Sequence, residues 1–298
     1  MKKIGLLLWI TLMLSISANA QINDTNYSFT LPLISQVNQG NSYITFPADI
    51  GNIESLWFEG NLIPNFYLRE SHNSRLMGVL TPQIILRMYQ QKSFPVRTPS
   101  YMPQITVYYR FSEWAQDRSL TFFGRMGHHS NGQDGDFFLE NGRPNLKSGD
   151  FATNFLEAGI ISTHVVPQLN AYQFFKSSLE IHPNGLMQEE LSGIYSQYRW
   201  HNAFSVFKLS SGNDPSHPQK PDISIKSELT WMFGNFNHLA PLSEERLNLS
   251  MTFFYHPEFL EDIGLFVQYY HGSDYYNIYF DHRLDVLRFG LMTEKLRF

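Results

Sequence analysis

The chain has 298 residues, 15% of them aromatic, with 22 Lys and Arg against 27 Asp and Glu and no cysteine. Mild acidity argues against a nucleic-acid partner, which would call for a basic surface. The missing cysteine excludes a disulfide framework and a lipid-modified thiol.

Residues 1–20 read as a signal peptide: Lys2 and Lys3 precede the apolar run Ile4 to Ile16, and Ala18-Asn19-Ala20 supplies small residues for cleavage. A retained helical anchor is the competing reading, but the run is short for it. The mature chain, beginning at Gln21, has no repeat, low-complexity tract or Pro/Gly linker, so 21–298 reads as one domain. Within it, 21–40 is a polar arm, irregular in pattern and either mobile or locally docked. Residues 41–69 hold two weakly patterned segments.

From Leu80 the alternation sharpens. Ile105, Val107, Tyr109 and Phe111 alternate with Thr106, Tyr108, Arg110 and Ser112, and Leu120 to Ser130 follows. Asn154, Leu156, Ala158 and Ile160 share a face opposite Glu157. Later, Ile223, Ile225, Leu229, Trp231 and Phe233 oppose Lys226 and Glu228, and Leu247 to Tyr255 and Ile263 to Tyr269 repeat the pattern. Soluble strands alternate too, but they usually stop near five or six residues, whereas a tilted membrane-crossing strand needs about nine to eleven. Several segments here reach that length, and none beyond the signal is apolar enough for a spanning helix. The expected fold is all-β, a transmembrane antiparallel up-and-down β-barrel of about 12 strands, with Arg199, Lys226 and Glu228 turned to the lumen. The long Gly/Asp/Asn-rich loop after Ser130 suits the outer side. Counting strands from there puts the C-terminus inside, in a last strand finishing Leu296-Arg297-Phe298. Tyr269, Tyr270, Tyr275 and Tyr276 read as an interfacial aromatic belt, or alternatively as a carbohydrate platform.

The chemistry concentrates in Arg125 to Gly135, Arg-Met-Gly-His-His-Ser-Asn-Gly-Gln-Asp-Gly. Strand residues i and i+2 share a face, so His128 and Ser130 end the apolar face Leu120, Phe122, Gly124, Met126. A serine hydroxyl becomes a nucleophile when a neighbouring base takes its proton. The same pair also reads as the plain end of a strand before an Asn131-Gly132 turn. A histidine base needs a third group to hold its ring. Asn154 offers one if its strand neighbours that of His128, and is otherwise an ordinary strand-start asparagine. His129 alternates to the interior.

Ser93-x-Pro95-x-Arg97, then Tyr101-x-Pro103-Gln104, then His128-x-Ser130-Asn131-Gly132, then Asn154 together resemble the outer-membrane phospholipase A family of bacteria. The resemblance implies a twelve-stranded barrel that hydrolyses acyl esters of membrane glycerophospholipids, with A1, A2 and lysophospholipase activity. It implies Ser130 as nucleophile, His128 as general base and Asn154 as orienting residue, on the outer wall at the level of the outer leaflet. It further implies activation by Ca2+ and by assembly into a homodimer. The metal would be held by the main-chain carbonyls of Ser93, from the second subunit, and of Gln133. A third ligand falls on Asp150, where the family has a serine and this chain a longer loop. Asp134 and Asp136 read as solvated loop residues. A lipid A deacylase also sets a His-x-Ser pair on a barrel wall, but with a carboxylate as third member, and Glu157 alternates away from the pair. A barrel without catalysis, serving as pore or scaffold, is the non-enzymatic alternative. A secreted soluble β-protein is a further one.

Overall fold

Alternating, β-branched and aromatic segments form strands in which one face can be wholly apolar and the other wholly polar. In the computed structural model, which describes residues 29–46, 50–68, 74–115, 117–209, 219–293 and 295–298, those segments close into a barrel. The strands are β1 (Tyr43–Thr45), β2 (Leu56–Leu62), β3 (Phe66–Tyr67), β4 (Leu76–Tyr89), β5 (Ser100–Ala115), β6 (Arg118–Ser130) and β7 (Ala152–Val166). They continue with β8 (Ala171–Ile181), β9 (Tyr198–Leu209), β10 (Pro221–Phe233), β11 (Leu247–Tyr255), β12 (Ile263–Ser273) and β13 (Arg283–Thr293). Each pairs antiparallel with its sequence neighbour from β4 to β13. β1 joins β13 to β2, and β2 closes the ring on β4. β2 and β3 both pair with β4, along its two halves, so they share one stave and the barrel has the expected twelve. β5 runs 16 residues and β7 runs 15, far beyond what a soluble sandwich uses. Among the described residues no helix is long and apolar enough to cross a membrane.

The wall is inverted relative to a soluble protein. Ile105, Val107, Met126, Leu156, Phe253 and Val267 are exposed on the outer face. Glu59, Arg87, Glu157 and Arg288 are 0–3% exposed inside. Each large apolar side chain left in water forgoes roughly 1.5–3 kcal/mol, so this outer face calls for lipid. The interior charges are compensated. Arg87 Nε lies 2.7 Å from Glu59 Oε2, its other nitrogens lie 2.7 and 2.9 Å from Asp274, and Arg288 Nη1 lies 3.1 Å from Glu59 Oε1. Removing one partner from such a set strands the other's charge. Glu59→Gln is therefore expected to destabilise the barrel by about 3–5 kcal/mol. The check is the urea midpoint of the protein in detergent, and an unchanged midpoint would mean that Asp274 and hydration offset the two guanidinium charges without Glu59.

Both mouths are filled. The polar arm expected before residue 40 contains, in its described part, a helix, α1 (Leu31–Gln39), with Thr30 as N-cap, Pro32 in its first turn and Gly40 beyond its end at φ +83°. It sits in the lumen: Ile34 is fully buried, and Gln39 Nε2 donates to Thr106 Oγ1 and the Tyr108 hydroxyl at 3.0 and 3.1 Å. Polar residues that looked irregular in the sequence are there because the lumen itself is polar. The expected last strand through Phe298 is also corrected: β13 ends at Thr293. Phe298 turns inward against Tyr172 and Phe207, with ring centroids at 4.5 and 5.3 Å, beside the buried Leu296. Burial of two apolar side chains against lumenal rings outweighs continued pairing.

The opposite mouth, at the Ser130 end, carries long connections, including 131–151, 182–197 and 274–282, whereas 167–170 turns tightly at the other end. Long loops outside and short turns inside are the usual barrel orientation. Here the aromatic-belt expectation fails for three of its four tyrosines. Tyr269 is exposed on the wall, but Tyr270 and Tyr276 are buried and Tyr275 points into the lumen, where its hydroxyl donates to Glu59 Oε1 at 2.5 Å. After β12 the chain dips inward rather than out, because Asp274 is drawn to Arg87 and the Asn277 amide donates to Thr98 O and Ser100 Oγ at 2.6 and 2.8 Å. The signal-peptide reading and the residues of the arm before 29 lie outside the described residues.

Candidate active site

The register of β6 on β7 places His128 directly opposite Asn154 and Ser130 opposite Ala152. In strand geometry His128 and Ser130 stand about 6.6 Å apart along one face. That face is the outward one: Met126 and Leu156, the next residues inward along each strand, are exposed, while the intervening His129, Thr153 and Glu157 are buried. The polar cluster is therefore at the rim of the apolar wall, with Glu157 on the far side, bonded to Arg125 and Lys176 at 2.9 and 2.7 Å. His129 is interior as expected, its ring against Phe151 with centroids at 4.9 Å.

His128 Nδ1 lies 2.9 Å from Asn154 Oδ1. An amide oxygen only accepts, so Nδ1 carries the proton and Nε2 keeps a lone pair. Among the described residues the Ser130 hydroxyl makes no hydrogen bond. The structure thus brings histidine and asparagine together and leaves serine on the same face, two residues on, free to meet a base or substrate; such contacts often tighten only on binding. Tyr101 pairs with Ser130 across β5 and β6 and is exposed. Its ring comes so close to Gly132 that a Cβ there would sit 3.2 Å from Tyr101 Cε2, and Gly132 has φ +65°. Glycine meets both demands.

The loop that follows is pinned by one buried side chain. Asn131, 1% exposed, accepts from Phe151 N at 3.0 Å and Gln133 N at 3.2 Å, and donates to Gly149 O at 2.8 Å. Its two arms run together where Asp150 N donates to Gly135 O at 2.9 Å. Gln133 and Asp150 are thereby both held at the ends of β6 and β7 that carry Ser130 and Asn154. Asp150 Oδ1 is buried without a hydrogen-bond partner, as a carboxylate oxygen kept for a cation would be. Ser93 is exposed in the 90–99 loop at the same barrel end, with φ +69°; no hydrogen bond among the described residues joins it to Gln133 or Asp150. Asp134 and Asp136 are exposed, and no group of three or more His, Asp or Glu able to hold a metal occurs among the described residues.

Beyond β8 the segment 182–188 returns to the end of β7, a contact the sequence reading did not single out. Its one textual signal is Pro183-Asn184-Gly185, a turn-forming run. His182 is buried there, with Nδ1 2.9 Å from Thr153 Oγ1 and Nε2 2.9 Å from Glu180. Burial, and then the Arg199 guanidinium, hold it below the usual histidine range.

A twelve-stave barrel with an ion-paired lumen and an apolar outer wall has the architecture of a barrel embedded in a membrane, and its His128–Asn154 pair lies on the outward face. Its fold is that of outer-membrane phospholipase A. The Escherichia coli structure of that protein superposes with a TM-score of 0.60 at 11% identity, covering 90% of this chain and 99% of that one. An active-site Asn-to-Ala mutant of the E. coli protein gives 0.58 at 11% identity, with 93% and 95% covered. The Salmonella typhi outer membrane phospholipase, a dimer with bound calcium, gives 0.56 at 12%, with 91% and 99% covered. No protein-family model matches the sequence, and no curated protein sequence does.

Proposed function

We propose that this chain is an outer-membrane phospholipase that hydrolyses acyl esters of glycerophospholipids, at the sn-1 and sn-2 positions and in lysophospholipids. The observation that carries the reading is the 2.9 Å contact between His128 and Asn154 beside Ser130 on a lipid-facing wall. Ser130 Oγ attacks the ester carbonyl while His128 Nε2 takes its proton, and the same proton goes to the departing glycerol oxygen. Water, deprotonated in turn by His128, then attacks the acyl-enzyme, and His128 returns that proton to Ser130 Oγ as the fatty acid leaves. Asn154 holds the imidazole without adding a charge, so its part is orientation. A solved structure of the same fold names an asparagine as an active-site residue, which supports this role.

Calcium fits the same reading. Asp150 and the Gln133 carbonyl would hold it, together with the carbonyl of the partner subunit's Ser93, in a homodimer. When bound, the ion would stabilise negative charge on the carbonyl oxygen. The loop pinned by Asn131, which holds Gln133 and Asp150 on adjoining segments, supports this reading. Substrate reaches the wall sideways from the outer leaflet, with acyl chains along Met126 and Leu156. The test is calcium-dependent release of fatty acid from phospholipid in mixed micelles, with lipopolysaccharide as a second arm. Acyl release from lipopolysaccharide alone would turn the assignment to a lipid A deacylase, which the lumenal Glu157 disfavours. No release from either would leave a barrel without catalysis.

A further inference from the structure

An amide is a less secure orienting group than a carboxylate. Either oxygen of a carboxylate accepts a proton from histidine, so a half-turn about the last bond changes nothing. A half-turn of asparagine presents an NH2 instead. That group would donate to His128 Nδ1, move the ring proton to Nε2 and abolish the base. A histidine–asparagine pair therefore needs something that distinguishes the two ends of the amide.

The 182–188 segment does this. β8 leaves the ladder after Ile181, and the chain makes a 3-10 turn over Asn184–Leu186. It then rejoins β7 at a bridge between Met187 and Thr153. Gln188 clamps the junction: its N–H donates to Ala152 O at 3.1 Å, and its side-chain oxygen accepts from Ala152 N at 3.0 Å. Met187 is buried in the outer core with Phe151, Leu191 and Tyr195. This fixes the Leu186 carbonyl 2.8 Å from Asn154 Nδ2. A carbonyl can only accept, so the NH2 must face Leu186 and the oxygen must face His128.

We propose that the 182–188 turn is a positioning element of the hydrolytic site, its Leu186 carbonyl locking the Asn154 amide in the orientation that keeps His128 a base. The proposal rests on the triad reading given above and adds to it a part built from main chain. It acts through Asn154, without touching substrate.

The experiment is phospholipid hydrolysis in calcium-containing mixed micelles by wild type, Gln188→Ala, Asn154→Asp and the double variant, with folding checked by the shift of unboiled protein on gels. Gln188→Ala loosens the clamp and is expected to lower kcat about fivefold at unchanged KM, the worth of one ordering hydrogen bond. In the Asn154→Asp background the same change should have no effect, because a carboxylate has no wrong end. Deleting Asn184 and Gly185 should repeat the pattern more strongly. Ring 15N shifts of His128, assigned with His128→Gln, give a readout that does not need turnover. They should show protonated Nδ1 in wild type and a mixture of tautomers in Gln188→Ala. Equal losses in the Asn and Asp backgrounds, or one unaltered tautomer throughout, would overturn the proposal. Activity surviving in Ser130→Ala would instead overturn the triad reading itself, so the two failures are told apart.

Discussion

Ser130→Ala is expected to stop fatty-acid release, with kcat falling roughly 10⁵- to 10⁶-fold, the scale on which removing a serine nucleophile acts. The barrel itself should be indifferent. The hydroxyl makes no hydrogen bond among the described residues and sits on the outer face at the end of β6, so its loss should move stability by no more than about 0.5 kcal/mol. A protein that runs as a closed barrel on unboiled gels and is inactive only as Ser130→Ala separates chemistry from folding. Members of one catalytic unit fail together, not additively. His128→Ala added to Ser130→Ala should cost nothing further. Residual turnover in Ser130→Ala near the wild-type rate would end the assignment.

Chelating calcium is expected to lower kcat by roughly 10²- to 10³-fold, the usual worth of one group stabilising a developing oxyanion. Asp150→Asn should act on the affinity for the ion from the protein side. It keeps the shape of the side chain but gives up a charge, so the calcium concentration for half-maximal activity should rise while activity at saturating calcium largely returns. The buried, unpartnered Asp150 Oδ1 is why this residue is chosen over the exposed Asp134 and Asp136. Full activity in excess chelator would remove calcium from the account, and a half-maximal concentration untouched in Asp150→Asn would remove Asp150 from its ligands.

Where one face of a strand is uniform, the period-two pattern carries both the strand and its direction. That is why Ile105 to Phe111, Leu120 to Ser130 and Asn154 to Ile160 fall where alternation puts them, and why the outward facing of His128 and Asn154 was legible. Neighbouring strands in an up-and-down barrel then oppose them almost by necessity. The pattern is silent where side chains turn into a polar lumen. Gln36, Asn38 and Gln39 look like loop residues, yet they belong to α1 because their amides find hydroxyls and amides inside the barrel. Tyr275 and Tyr276 look like part of an interfacial belt until Glu59 and Arg87, both distant in sequence, are seen to draw them in. The Leu186 carbonyl could not be read at all, since every residue has one and only the return of 182–188 to β7 makes this one matter.

Because the reacting groups face outward, the enzyme proposed here would count its substrate by area and not by volume. Thinning phospholipid with inert detergent, at constant total lipid, should slow hydrolysis even though nothing in bulk solution has become scarcer. Velocity would follow the mole fraction of ester at the interface.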